Sequence, residues 1–242
     1  MAFSIALASA LLHLGPTLRH SGHLVTISRY NVWFDYAQAL RLFELLNIAP
    51  AYQPLPDQII TRDNGTLMGS IFFRMLGFSQ VTEIEHPSTC EDGCVPLDLN
   101  QGETPAQLID CADAVFDFGT SEHVFNTPNL LAHMGRILKP GGFVLHHTPA
   151  NNQVNHGFYQ FSPTLYFDYY QANAYDSEIY LLNHFEQPHD IKQQFSPLSS
   201  DDCWREMKTG EQKVMNLFSA RKTAVSTIGR APVQAIYTNR LA

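Results

Sequence analysis

The sequence predicts an α/β fold, a doubly wound and mostly parallel sheet preceded by an N-terminal helical extension, and three observations carry the prediction. Residues 113–126 read as a buried strand ending in a polar elbow; residues 136–145 follow with a helix end, a Pro140-Gly141-Gly142 turn and a second buried strand. Strand-like and helix-like segments alternate from residue 57 onward. A chain of 242 residues with 45% hydrophobic content can bury one sizeable core.

The elements follow in order. Residues 1–12 are apolar but lack a positively charged start, and the apolar run continues past Ala8-Ser9-Ala10 into Leu11-Leu12, so a packing helix is expected rather than a cleaved leader. Val32, Trp33, Tyr36, Ala39, Leu40, Phe43 and Leu46 recur at helical spacing, predicting an amphipathic helix over 31–47. The Pro-punctuated stretch 49–56 then suggests a boundary: 1–56 as the extension and candidate lid, 57–242 as the domain. Within the domain, strands are expected at 58–61, 80–85, 94–98, 114–118, 143–148 and 178–182, with late strands at 215–222 and 233–237. Helices are expected at 69–76, at 129–138 and from Pro163, where Ser162 can cap; 187–202 reads as a loop.

The formal charge of −8 and the scattered 15 Lys and Arg argue against a partner bound through nucleic-acid phosphates. No apolar run approaches the length of a membrane span, so the cytoplasm is the expected compartment, with a homodimer an open option. Cys90 and Cys94 have a spacing that zinc can use, but no second ligand pair accompanies them. Reduced, unpaired thiols and no metal are therefore expected.

The pattern Asp113, Glu122-His123-Val124 and Arg136-Ile137-Leu138-Lys139-Pro140-Gly141-Gly142 resembles the class I S-adenosylmethionine-dependent methyltransferases, in the type 11-like group. The resemblance spans roughly residues 57–222 and is specific over 113–148. It implies a Rossmann-like methyltransferase fold with the cofactor at the carboxyl ends of the strands, near the topological switch point. By resemblance, Glu85 takes the ribose hydroxyls, with Glu83 on the same strand face as the alternative, Asp98 and Leu99 the adenine, and Phe118, Gly119 and Thr120 the methionine end. The glycine-rich loop falls on residues 63–67, with Asp63, Gly65 and Thr66 as cofactor-binding candidates. Only Gly65 matches a motif glycine there, a degenerate version of the family loop.

The run 146–163 leaves the strand expected at 143–148 and is dense in amide, imidazole and phenol groups with almost no charge, which suits a polar acceptor. Asn155, Tyr159 and Tyr30 are candidate substrate-binding residues. His123, His147 and His156 are candidate bases, needed only if the acceptor must lose a proton. No P-loop or acyl-transfer triad is evident. The resulting expectation is methyl transfer to oxygen or nitrogen of a small polar metabolite or glycan precursor, with S-adenosylmethionine as donor and S-adenosylhomocysteine as product. The alternatives are a methyltransferase-like binding or scaffold protein that has lost the cofactor, and other chemistry in the same pocket.

Overall fold

The computed structural model describes residues 2–18, 21–59, 61, 64–91, 93–187, 190, 192–199, 202 and 207–238. In chain order the elements are β1 (Ala2–Phe3), α1 (Ile5–Leu18), β2 (Gly22–Thr26), β3 (Asn31–Val32), α2 (Tyr36–Leu45), α3 (Gly69–Leu76), β4 (Phe78–Glu85), β5 (Cys94–Pro96) and β6 (Ala112–Asp117). They continue as α4 (Thr127–Ile137), β7 (Leu138–Asn151), α5 (Pro163–Ala172), β8 (Tyr175–Phe185), β9 (Gln194–Pro197), β10 (Lys213–Lys222) and α6 (Ala235–Thr238).

Eight strands form one sheet in the order β5-β4-β2-β6-β7-β10-β8-β9. The first five run parallel, and β10 is antiparallel to both β7 and β8. The chain winds from β2 outward through β4 to β5, then returns to the other side of β2 for β6 and β7, so the direction of winding reverses between β2 and β6. In such sheets the loops leaving adjacent strands diverge at that reversal and open a crevice at the carboxyl edge.

Two apolar layers sandwich the sheet. On one face Leu7 and Leu11 of α1, Phe43 of α2 and Phe72 of α3 pack on Leu24, Phe116 and Leu145. On the other, Leu130 and Met134 of α4 and Tyr166 and Tyr170 of α5 pack on Val25, Val115, Val144 and Phe218. Among the described residues no helix is long and apolar enough to cross a membrane.

Several expectations need correcting. The first central strand is β2, not 58–61: Pro56–Gln58 is a 3₁₀ turn, and Thr61 makes only an isolated bridge to Leu67. The boundary at residue 56 therefore cuts through the domain, because β2 is hydrogen-bonded between β4 and β6. The candidate lid is likewise a core layer, with α1 and α2 against the sheet face. The reason is that a five-residue run flanked by parallel neighbours is too short for periodicity to reveal. Its start depends on a distant residue: His23 N donates to Asp113 Oδ2 at 2.7 Å, and a Cβ on Gly22 would lie 2.2 Å from that same oxygen. Residues 233–237 lie partly in the short helix α6 rather than in a strand, and β9 forms inside the expected 187–202 loop by pairing with β8. Cys90 and Cys94 are joined in a disulfide, not reduced; Cys111 is a free thiol, and Cys203 lies outside the described residues.

Candidate functional site

The carboxyl edge has two contrasting halves. Residues 27–30 leave β2 with the sequence Ile-Ser-Arg-Tyr, which contains no glycine. Arg29 N donates to Glu85 Oε1 at 2.6 Å and Ser28 Oγ donates to the same oxygen at 3.0 Å, so the loop folds onto the end of β4. The Arg29 guanidinium meets Glu83 Oε2 at 2.7 Å. Tyr30 is 2% exposed; its hydroxyl donates to the Phe116 carbonyl at 3.0 Å and accepts from Phe118 N at 2.9 Å. The phenol thus ties the loop after β2 to the end of β6. Burial, reinforced by the charge of Asp117, raises its pKa well above the usual phenol value.

Glu85 and Asp98 follow β4 and β5. The second oxygen of Glu85 has a 3.4 Å contact from Thr89 Oγ1. Asp98 Oδ1 accepts from Asn100 N, and its Oδ2 lies 4.0 Å from His86 Nε2. Leu99 is buried, and its carbonyl accepts from Asn129 Nδ2 at 3.1 Å.

After β6, Asp117 is fully buried and fully used. It accepts from Thr120 N, Ser121 N, Ser121 Oγ and His146 Nδ1, the last at 2.8 Å, while His146 Nε2 meets the Tyr170 hydroxyl at 2.7 Å. Four donors converging on one carboxylate are what make its burial affordable. The turn passes through Gly119 in a left-handed conformation, φ +83°, which a Cβ would disfavour.

Glu122 comes next and is the opposite case. Its side chain is 0% exposed, yet neither carboxylate oxygen has a hydrogen-bond partner among the described residues. His156 Nε2 lies 3.5 Å and His123 Nε2 3.9 Å from Oε1, and the two imidazoles are 50% and 41% exposed for His123 and His156 respectively. Burial raises the pKa of Glu122, with Asp117 adding to the effect; burial lowers that of His123, with His156 adding. The backbone holds the cluster together: Phe158 N donates to the Glu122 carbonyl at 2.7 Å, and Gly157, φ +82°, has no room for a Cβ, which would lie 2.7 Å from that carbonyl oxygen.

Beside the cluster a cavity of about 340 Å³ is lined by His147, Asn155, His156, Ser4, Gln193 and Met215 among others. His147 is buried; Asn183 Nδ2 donates to its Nε2 at 3.1 Å, and burial pulls its pKa down to about 4. It is therefore a neutral hydrogen-bonding wall.

The expected site residues divide accordingly. His123 and His156 come together, while His147 and Asn155 face the cavity. Tyr159 is turned away, its hydroxyl donating to the Phe125 carbonyl at 2.9 Å. Tyr30, expected to touch substrate, is a buried tie. Phe118 has its amide engaged by Tyr30, and Thr120 N caps Asp117. Gly65 and Thr66 do not follow a strand of the sheet: they form an Asn64-centred turn leading into α3, and Asp63 lies outside the described residues. Sequence reasoning missed Ser28 and Arg29, which occupy the true loop after the first strand, and Glu122 as a group in its own right. Its place beside His123 was visible; its burial was not.

The strand order and the switch point between β2 and β6 define a doubly wound, Rossmann-like fold, with Glu85 at the end of β4 and Asp98 just after β5. Solved structures to which the chain is similar include a SAM-dependent methyltransferase from Archaeoglobus fulgidus, at 11% identity over 89% of this chain and 93% of that one with a TM-score of 0.46. They also include the 1,6-didemethyltoxoflavin-N1-methyltransferase of Burkholderia thailandensis, at 14% identity over 89% and 76% with a TM-score of 0.42. TehB of Haemophilus influenzae matches at 14% identity over 64% of this chain with a TM-score of 0.43, and the chain spans about half, 53%, of its length. No protein-family model matches the chain, and no curated protein sequence does. Likeness at this level carries no argument about the site, which has to be read from its own residues.

Proposed function

We propose that the chain transfers a methyl group from S-adenosylmethionine to an oxygen or nitrogen of a small polar molecule, a metabolite or glycan precursor, releasing S-adenosylhomocysteine. The observation that carries this reading is the series of Glu85, the Asp98-Leu99 pair and Gly119 after β4, β5 and β6, with the cavity at His147 and His156 beside Glu122 on the same edge. Supporting the adenosine end, Glu85 Oε2 accepts only a long 3.4 Å bond from Thr89 Oγ1 and Asp98 Oδ2 lies 4.0 Å from His86 Nε2, so among the described residues neither oxygen is held by a short hydrogen bond.

The donor would supply a methyl already activated on a sulfonium. What remains for the chain is to hold the acceptor in line and exclude water. The cavity offers imidazole and amide groups to a neutral polar acceptor. A hydroxyl acceptor must also lose its proton; His147, with its pKa near 4, is a weak base, so that role falls to the Glu122, His123 and His156 cluster.

A cytoplasmic protein acting on small molecules accords with the net charge of −8, while the Cys90–Cys94 bridge pulls the other way. One observation favours the second reading, a methyltransferase-like binding protein without the donor: the glycine-free loop 27–30, whose Tyr30 already occupies Phe116 O and Phe118 N at the methionine end.

Calorimetric titration with S-adenosylmethionine and S-adenosylhomocysteine separates the two. Micromolar binding that Asp98→Ala weakens about tenfold, the loss of one good hydrogen bond, supports the enzyme. Absence of heat and of any thermal shift with either ligand establishes the second reading.

A further inference from the structure

We propose that Glu122, His123 and His156 form a binding site for one divalent metal ion of zinc type, with an open coordination position on the side of the cavity. Each residue offers one ligand atom, and the three atoms lie within 4.8 Å of one another. The separations of 3.5 and 3.9 Å from Glu122 Oε1 to the two imidazole nitrogens are close to the ~3.3 Å between neighbouring ligands on a tetrahedral zinc ion with bonds of about 2.0–2.1 Å. Small side-chain rotations suffice to close the difference.

The independent sign is the carboxylate. Glu122 is 0% exposed and has two oxygens without a hydrogen-bond partner among the described residues, and His156 Nε2 is also without one. A buried acid usually acquires donors, as Asp117 does a few residues earlier with four. Glu122 instead faces two imidazole nitrogens at 3.5 and 3.9 Å, contacts longer than good hydrogen bonds, an arrangement that a cation between them satisfies at once.

The surroundings are built for it. Phe158 N clamps the His156 loop to the Glu122 carbonyl, and Gly157 permits the close approach. The imidazole rings sit 5.2 Å apart at 67°, edge to face rather than stacked. Two imidazoles and one carboxylate suit zinc-type ions; magnesium and calcium prefer all-oxygen shells. Three protein ligands leave a position for water or another ligand, and His156 lines the cavity. A hydroxyl bound there would release its proton to solvent more readily than in water. That consequence rests on the methyl-transfer reading; the site itself does not.

The test uses the full chain, stripped with chelator and titrated with cobalt(II) and zinc(II). One equivalent of cobalt is expected to bind with visible ligand-field bands, and zinc to displace it. His123→Ala and His156→Ala, at half-exposed positions where truncation leaves no buried void, are each expected to weaken binding at least about tenfold. Their metal-free melting temperatures should match wild type, which separates ligand loss from misfolding. Cys90→Ser/Cys94→Ser should bind as wild type does, and magnesium should give no response. No stoichiometric cobalt uptake, or unchanged affinity in both histidine variants, would overturn the site; loss of binding in the cysteine variant would move it elsewhere. None of these readouts requires the methyl donor, so failure here and failure of the donor titration are separate results.

Discussion

The loops leaving β2 and β6 begin on neighbouring strands, and they treat the carboxyl edge in opposite ways. The β2 loop spends its polar groups internally: Ser28 and Arg29 on Glu85, the Arg29 guanidinium on Glu83, and Tyr30 on the backbone of Phe116 and Phe118. The β6 loop satisfies Asp117 and then leaves Glu122, equally buried, without a hydrogen-bond donor among the described residues. An unpaired buried carboxylate costs stability, and here it lies 3.5 and 3.9 Å from two imidazoles, where the metal site is proposed. The closed β2 side, in contrast, is where donor binding has most to overcome.

The sharpest way to break the comparison is Asp117→Ala. It removes the acceptor shared by two backbone amides, Ser121 and His146. A loss of about 3–5 kcal/mol is expected in urea unfolding, since the partners are left buried and unpaired. A loss below about 1 kcal/mol would mean that the satisfied half is not the structural anchor.

Acid sharpens it next. His147 has a pKa of about 4 when folded, against 6.5 when unfolded, because burial disfavours its cation; Asp117 is the charge that opposes this. Its contribution is present above pH 6.5 and disappears as the pH falls through 4, amounting to about 3 kcal/mol over that window. Unfolding free energies measured across the window should fall with pH, and His147→Gln should flatten the slope. An equal slope in the variant would show that His123, His133 and His184, also lowered by burial, carry the effect.

Gly157→Ala probes the clamp on Glu122. A methyl at φ +82°, aimed at the Glu122 carbonyl, should cost about 2 kcal/mol in thermal or urea melts. Smallest is Tyr30→Phe. Keeping the ring and removing the hydroxyl takes the partner from Phe118 N, while Phe116 O still accepts from Ile27 N at 3.1 Å, for about 1 kcal/mol in the same melts. A neutral result would mean that ring packing alone closes the β2 side.

Much of the β6 half was legible in the sequence. The run of apolar residues into Asp117, the Pro140-Gly141-Gly142 turn and the amphipathic 129–138 segment are local signals, and β6, α4 and β7 appear where they point. The β2 half was not. A five-residue strand carries no period long enough to distinguish it from a buried helical turn, and its identity depends on bonds to strands far along the chain. Displacing that strand to 58–61 carried the expected loop to Gly65 and Thr66, with Ser28 and Arg29 overlooked.

By itself, then, the sequence determined the alternation of strands and helices, the acids ending β4 and β5, and the presence of Glu122 beside His123, because each rests on neighbours within a few residues. Only the tertiary structure decided which segment lies at the centre of the sheet, that Tyr30 is a tie rather than a contact, and that His156 returns to Glu122. Those facts depend on burial and on pairings between distant segments, and residue order alone encodes neither.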